Sequence, residues 1–250
     1  MAKCECSFLG VGKFWYRVKG TNTYIEFGNV NEATFSADEE RVELRDYEST
    51  GGGNCNVVSR LTTPQLTLTV SNLCPGTLAI GLRAGVTATA GGAQTDEAHT
   101  AYHDSLLQLT YLPDVTQSIT VTGSGGTPTY VLDTDYTVAN TGIVPLSTGS
   151  ISDGGSIEVD YTSLGTSRIE SLINTASEYE IILDGINEAQ SNSPFSVKFH
   201  KVKFSPLAAL PFIATDDFAT IELVGEVLAD AAITSSTLSQ YFTMSKKTQT

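Results

Sequence analysis

The sequence predicts a mainly β protein built from antiparallel strands, with one or two short helices. Of its 250 residues, 33 are Thr and 24 are Ser, and the branched Cβ of threonine favours extended backbone. Several short segments alternate apolar with polar residues, which is the period of a strand with one buried face. Glycine-rich turns separate these segments, as they do in β-hairpins. Together the three observations predict a β-sandwich or barrel.

The first part of the chain predicts five strands in succession. The first two flank Lys19-Gly20-Thr21, a short glycine-containing turn that favours a hairpin. The last strand alternates cleanly and places Leu66, Leu68 and Val70 on one face. The five predicted strands are 13–18, 22–27, 30–37, 41–45 and 65–70.

A long connection is predicted between the last two of these strands. Residues 46–59 contain the triple glycine 51–53 and few large apolar side chains. Connections of this length are uncommon in compact domains and tend to be functional or disordered. We therefore expect the segment to be mobile in an isolated subunit and to become ordered against a partner.

Two segments have features of short helices. Residues 71–82 offer polar capping residues followed by Pro75, which suits a first helical turn. Leu78 and Leu82, four residues apart, would form a short apolar stripe. The second candidate helix is 167–176.

Charge is unevenly distributed and predicts an inserted domain. Residues 113–163 contain no Lys or Arg but six acidic residues, and they begin with a proline. We expect 1–112 and 164–250 to form one discontinuous β domain, and 113–163 to form a small β-sandwich-like insertion. Strands are predicted at 118–122, 129–132, 136–138, 143–146 and 156–161 in the insertion, and at 195–204 and 218–228 after it, the last two joined through 207–217.

The overall charge limits the function classes. The formal net charge is −14 and the pI is about 4.5, which disfavours a protein that holds nucleic acid by neutralising phosphates. No apolar run reaches 18 residues, so no membrane span is expected. The polar start of the chain lacks the apolar segment of a secretory signal, so Cys4, Cys6, Cys55 and Cys74 are expected to be reduced thiols in a cytoplasmic setting.

No catalytic, cofactor or metal site is predicted. The chain lacks a phosphate-binding P-loop and a G-x-S-x-G nucleophile motif. His99 and His103 with Asp104 are the one concentrated set of metal-ligand types, and they keep a metal-assisted enzyme open as an alternative. Asp216 and Asp217 are expected in a turn, because neighbours in a strand point to opposite faces. By elimination, the sequence favours a structural or assembly role over an enzyme.

Several stretches, taken in order, resemble the major tail tube proteins of tailed bacteriophages, most closely those of long non-contractile tails. The stretches are 12–35, 66–82, 202–206 and 217–230. The resemblance implies a tail-tube-type β-sandwich or barrel carrying an immunoglobulin-like insertion. It also implies hexameric rings stacked into a tube within the virion tail, made in the host cytoplasm. Tape measure, terminator and tip proteins would be partners, and DNA would pass through without specific binding.

The resemblance directs attention to two sets of residues. The candidate inter-ring loop consists of Asp46, Tyr47, Glu48, Gly51, Gly52, Gly53 and Asn54. The candidate acids of the channel wall are Glu26, Glu32, Glu222 and Glu226. A surface adhesin or binding module with an immunoglobulin-like domain remains the main alternative.

Overall fold

The computed structural model describes residues 7–48 and 50–247. It confirms the predicted fold class, a mainly β protein of antiparallel sheets with one α-helix. The elements of the described residues are β1 Gly10–Val18, β2 Ile25–Glu26, β3 Val30–Ser36, β4 Glu39–Arg45, β5 Asn54–Leu61, β6 Gln65–Val70, α1 Pro75–Leu82, β7 Gly85–Thr89, β8 Gly92–Ala101, β9 Leu107–Gln108, β10 Thr120–Gly123, β11 Tyr136–Ala139, β12 Gly142–Pro145, β13 Gly155–Ser163, β14 Thr166–Glu170, β15 Glu178–Asn187, a 3-10 turn Glu188–Gln190, β16 Ser193–Phe204, β17 Ile221–Val227 and β18 Phe242–Lys246. Neither helical element of the described chain has the length and apolar character needed to cross a membrane.

The chain forms two compact units. Unit 1 combines 1–85 with 169–250, and unit 2 is 86–168. Unit 2 is therefore wider than the predicted insertion 113–163, because β8 pairs along most of its length with β13 and joins the same small domain. The short strands β7 and β14, where the chain enters and leaves unit 2, pair with each other.

Unit 1 is built on one large antiparallel sheet. Its strand order is β2-β1-β15-β16-β17-β6-β3, and β18 pairs with the first part of β16. The alternation predicted for β6 is confirmed, since Leu66, Leu68 and Val70 are all buried. The rings of Phe35 on edge strand β3 and Phe242 on β18 lie 4.9 Å apart, so the sheet curls around its own core. That core consists of Phe14, Tyr16, Phe27, Leu66, Leu68, Val70, Ile80, Ile181, Phe199, Val202, Phe204, Ile221, Leu223 and Val227.

Helix α1 covers part of this core. Pro75 occupies its first turn as predicted, but Cys74 is the N-cap residue and makes no side-chain capping bond. The buried residues of the helix are Thr77, Ile80 and Gly81, whereas Leu78 and Leu82 are half-buried. A Cβ on Gly81 would lie 2.6 Å from the Leu207 side chain, so only glycine permits this close packing.

The predicted helix at 167–176 is wrong. Its first residues form β14, and the remainder is irregular. Leu172 has a φ of 61°, which ends any regular run. The N–H groups of Leu172 and Asn174 donate to the carbonyl oxygens of Leu82 and Arg83 at 2.9 and 3.0 Å. The segment therefore satisfies the free carbonyl groups at the end of α1.

Unit 2 is a small sandwich of two three-stranded antiparallel sheets. Their orders are β10-β13-β8 and β11-β12-β9, and both sheets contribute to one core. The predicted strand at 129–132 is wrong, because that segment contributes only isolated bridges at Thr129 and Leu132. The core residues are Ala101, Leu109, Ile119, Val121, Tyr136, Ile143, Ile151, Ile157, Val159 and Tyr161.

Candidate assembly surfaces

The β4–β5 hairpin has no packing partner within the described chain. Its two strands pair only with each other, and every residue of both strands is exposed. The expected long connection 46–59 is wrong in its second half, because β5 begins at Asn54, which pairs with Arg45. Ser49 lies outside the described residues. A two-stranded hairpin is marginal by itself in water, so this one requires stabilisation from outside its own strands.

The two faces of the hairpin differ in character. Val42 pairs with Val58 across the hairpin, and Leu44 lies on the same face two residues along. These three apolar side chains form what we call the apolar arm face, and each is about half exposed. The opposite face carries Val57 and Leu61 together with an ion pair of Arg41 and Glu43, whose nitrogen–oxygen distance is 3.1 Å. An exposed apolar face bordered by charge is typical of a protein contact surface.

The tip of the hairpin is the connection between Arg45 and Asn54. The Asp46 N–H donates to the Gly53 carbonyl at 2.7 Å, and the Glu48 N–H donates to the Asp46 carboxylate at 2.8 Å. Gly51 has a φ of 104°, which explains part of the glycine run. The Tyr47 side chain is 86% exposed. The tip therefore presents an aromatic side chain to solvent.

Three of the four candidate channel acids share one sheet face. Glu222 on β17 lies opposite Thr69 on β6, and Thr69 lies opposite Glu32 on β3. Glu226 lies four residues from Glu222 and so projects to the same side. All three acids are exposed, on the side away from the buried residues of these strands. Within the described chain, none of them lies within 4.0 Å of a basic group.

Glu26, the fourth acid, has a different environment. It pairs with Lys13 at 3.2 Å, and its strand β2 runs along β1. The same half of the sheet contains other ion pairs, among them Lys201 with Glu178 at 2.8 Å and Lys19 with Asp230. Several acids of this half therefore form ion pairs, whereas Glu32, Glu222 and Glu226 form none within the described chain, although Lys203 lies opposite Glu226.

Glu180 is the centre of a polar network on β15. Its carboxylate accepts hydrogen bonds from Arg17 and Lys198, each at 2.9 Å, and from the Tyr24 hydroxyl. Burial alone would raise its pKa, but the bonds from Tyr24, Arg17 and Lys198 prevail and lower the pKa to about 2. Burial and the same bond raise the pKa of Tyr24 to about 12. The network joins β1, β15 and β16.

The two histidines proposed as metal ligands do not converge. His99 Nε2 lies 2.6 Å from a Glu97 oxygen, whereas His103 Nε2 lies 2.7 Å from the Ile151 carbonyl oxygen. Burial raises the pKa of Glu97, but hydrogen bonds from Tyr161, Thr110 and His99 outweigh it and lower the pKa overall. Across the described residues, no group of three or more His, Cys, Asp and Glu side chains could hold a metal ion.

The structure also shows the environments of two cysteines and of the acid pair Asp216 and Asp217. Cys55 and Cys74 are free and exposed, while Cys4 and Cys6 lie outside the described residues. Asp216 and Asp217 lie in irregular structure, as predicted, within the segment that connects β16 to β17.

The sequence analysis missed the surface character of this connection. Phe212, Ile213 and Phe218 are 86–93% exposed. The signal was present, since two prolines and a run of small and large apolar residues follow β16. A run of this kind outside any strand pattern indicates an exposed contact segment.

The comparisons with known proteins extend over nearly the whole chain. A family model described as "Protein of unknown function UCP028589" matches residues 7–245. The chain belongs to this family. A comparison with curated protein sequences finds no match. The match to the family spans both units, so the two units together are a property of the family.

Proposed function

We propose that the protein is a structural subunit of a bacteriophage tail tube, forming hexameric rings that stack and conduct DNA into the host. The proposal rests on the sequence resemblance and is supported most directly by one observation, the β4–β5 hairpin with its uncovered apolar arm face. A monomeric protein gains nothing from an extended arm that buries none of its side chains. A subunit that is completed by its neighbours does.

The arm suits a contact with the adjacent ring. Its strands offer unpaired backbone groups as well as the apolar side chains of Val42, Leu44 and Val58. Exposed strand edges promote association between chains. Contacts between unlike surfaces close into rings or continue without limit along an axis. The candidate inter-ring contact, predicted from the sequence for residues between Asp46 and Asn54, is thus proposed to include both strands of the hairpin.

The acidic face suits passage of DNA. Glu222 and Glu226 form no ion pair within the described chain, although Lys203 on β16 lies directly opposite Glu226. A channel wall that carries negative charge would repel phosphates, whereas a basic wall would bind them and hinder movement. We place Glu222 and Glu226 on the channel wall. Glu32 instead lines a cleft near the start of β1. Glu26 is a poorer candidate because Lys13 neutralises it.

Assembly is tested by negative-stain microscopy and sedimentation of the purified protein. The wild type should form rings or tubes. The triple variant Val42→Ser, Leu44→Ser and Val58→Ser should remain folded but lose stacking. The matched control is Val57→Ser with Leu61→Ser, which alters the opposite face of the same hairpin. Discrete monomers of wild-type protein under all conditions would refute the proposal.

The charge of the channel is tested on assembled tubes. Replacing Glu222 and Glu226 by Lys should make tubes retain double-stranded DNA at low salt, and retention should decline as salt rises. Two reversals in unit 2, at Asp114 and Asp133, are the control. Equal DNA retention by the two variants would contradict the electrostatic role of the channel acids but not the proposed assembly.

A surface adhesin is the second candidate, because unit 2 is a compact sandwich with its own core. Such a module would act as a discrete domain, with ligand binding confined to 86–168. Monomeric wild-type protein that binds cell-surface material through unit 2 would favour this candidate.

A further inference from the structure

The segment between β16 and β17 carries the most exposed apolar side chains of the described chain. Phe218 is 93% exposed, Phe212 89% and Ile213 86%. We call residues 210–218 the apolar loop. Burying such side chains is the dominant favourable term in protein association. Their exposure together on one segment therefore indicates a contact surface.

The loop is attached at its start but not along its length. The Ser205 N–H donates to the Val224 carbonyl and the Leu207 N–H to the Gly81 carbonyl, each at 2.8 Å. Within the described chain, no hydrogen bond joins 208–220 to another segment. An anchored start followed by an unbonded apolar stretch suits a segment that takes up its final conformation on a partner.

The negative charge within the apolar loop indicates which class of partner it can bind. Asp216 and Asp217 directly precede Phe218. Two carboxylates at this position oppose contact with an anionic lipid surface or with nucleic acid. They favour a protein surface that combines an apolar cleft with positive charge.

Unit 1 itself presents such a surface near the start of β1. A cleft of about 470 Å³ is lined by Phe8, Val11, Phe195 and Met244, among other residues, and Glu32 is the one acid in its lining. We call it the β1 cleft. The Lys246 ammonium lies 5.6 Å from the centre of the Phe8 ring, and Lys247 follows it in the chain. Apolar side chains beside two cations complement those of the apolar loop beside two acids.

The positions of the two surfaces favour a contact between copies. Phe195, in the β1 cleft, lies near the start of β16, and the apolar loop follows the end of that strand at Phe204. Nine residues of extended strand span about 30 Å. A surface and its complement at opposite ends of one strand suit a head-to-tail arrangement of subunits.

We propose that the apolar loop of one copy docks in the β1 cleft of a second copy. Phe212, Ile213 and Phe218 fill the cleft, and Asp216 with Asp217 pairs with Lys246 and Lys247. This inference rests on the proposed function, since it assumes that the protein assembles with itself. It adds a second contact to that of the β4–β5 hairpin.

Photo-crosslinking identifies the docking partner. Phe212 is replaced by benzoylphenylalanine, and equal amounts of ¹⁵N-labelled and unlabelled protein are mixed before assembly and irradiation. About half of the crosslinked peptides that join the loop to 8–11 or 244–247 should combine one labelled and one unlabelled chain, as random pairing between copies requires, whereas crosslinks within one chain would give no mixed pairs. The same probe at Tyr102 in unit 2, an exposed control position, should not yield them.

Charge exchange tests the polar part of the contact. Asp216→Lys with Asp217→Lys should reduce the sedimentable fraction about ten-fold, because like charges then face each other. Lys246→Glu with Lys247→Glu should do the same, and all four substitutions in one chain should restore assembly. Circular dichroism establishes that each variant is folded.

The outcomes separate this inference from the proposed function. Wild-type tubes that crosslink only within one chain, or at residues outside the β1 cleft, overturn the docking but leave the tube. If the quadruple variant assembles no better than the two double variants, the charge pairing is wrong, and the docking is wrong with it. Wild-type protein that never assembles overturns both.

Discussion

The two units solve the problem of apolar surface in different ways. Unit 2 encloses ten buried side chains between two small sheets, and its buried Asp135 accepts N–H groups of Val131 at 2.8 Å and Ser150 at 2.6 Å. Unit 1 has a larger core, yet the described large apolar side chains that are more than 80% exposed, Tyr47, Phe212, Ile213 and Phe218, all belong to it. None of the exposed apolar side chains of unit 2 exceeds 58%.

This difference indicates a division of labour. A domain that satisfies its own polar groups and covers its own core has little thermodynamic need for a partner. A domain with an uncovered hairpin and an exposed apolar loop has a higher risk of aggregation, and such surfaces are typical of domains that bind a partner. Assembly is therefore expected to depend on unit 1 and to be insensitive to unit 2.

The largest expected effect concerns the core of unit 1. Leu68 is fully buried at the centre of β6, so Leu68→Ala should destabilise unit 1 by about 3–5 kcal/mol. Hydrogen exchange should show lower protection for β6, β16 and β17 and unchanged protection for β8 and β13. Equal loss of protection in both units would show that they unfold as one and would weaken the comparison.

A matching change in unit 2 should cost about 2–4 kcal/mol without affecting assembly. Ile157 on β13 is 1% exposed and belongs to the unit 2 core, so Ile157→Ala leaves a cavity there. Thermal unfolding should detect the loss, while sedimentation of the assembled form at a temperature below the transition should not change. Loss of assembly by this variant would assign unit 2 a part in the contacts.

The Glu180 network should make unit 1 more acid-sensitive than unit 2. A pKa near 2 in the folded state, against about 4.3 in the unfolded chain, means that stability is present above about pH 4.3 and is lost as pH falls toward 2. Glu180→Gln should cost about 1–3 kcal/mol at neutral pH and should flatten this part of the pH–stability curve. Asp184→Asn, an exposed position on the same strand, is the control.

The smallest expected effect is on the hairpin in the isolated subunit. Val42→Ser with Leu44→Ser removes apolar groups that are already exposed to water, so the free energy of unfolding should change by less than about 0.5 kcal/mol. Denaturant titration of the monomer measures this directly. A loss above about 1.5 kcal/mol would mean that the arm face is covered within a single chain.

The sequence predicts the fold best where burial alternates strictly. In β6 the predicted bounds 65–70 and the buried face both agree with the structure, because one face of this strand meets the core and the other does not. Strand β15 was not predicted, because its sequence does not alternate between apolar and polar residues. A bulge between Tyr179 and Ile181 shifts which side chains point to each face. Strand β8 was missed because its side chains are mostly polar and its partner β13 is distant in sequence.

The candidate surfaces were predictable only in part. The glycine run indicated a long connection over 46–59, but the strand that begins at Asn54 was hidden, because β5 buries nothing and so has no burial pattern to read. The shared side of Glu222 and Glu226 follows from the two-residue period alone. The residues opposite them, Thr69 for Glu222 and Lys203 for Glu226, depend on which strands become neighbours. This is a property of the sheet order rather than of local sequence.

The pairing of strands β7 and β14 bears on how the inserted domain can be exchanged in evolution. Because the chain leaves unit 1 and returns to it through two neighbouring strands, the ends of the inserted segment are held close together. Domain insertions are tolerated at sites of this kind. The site can therefore act as a cassette into which a different domain is exchanged, so that one conserved scaffold could present varied decorations, and an engineered version could display foreign domains.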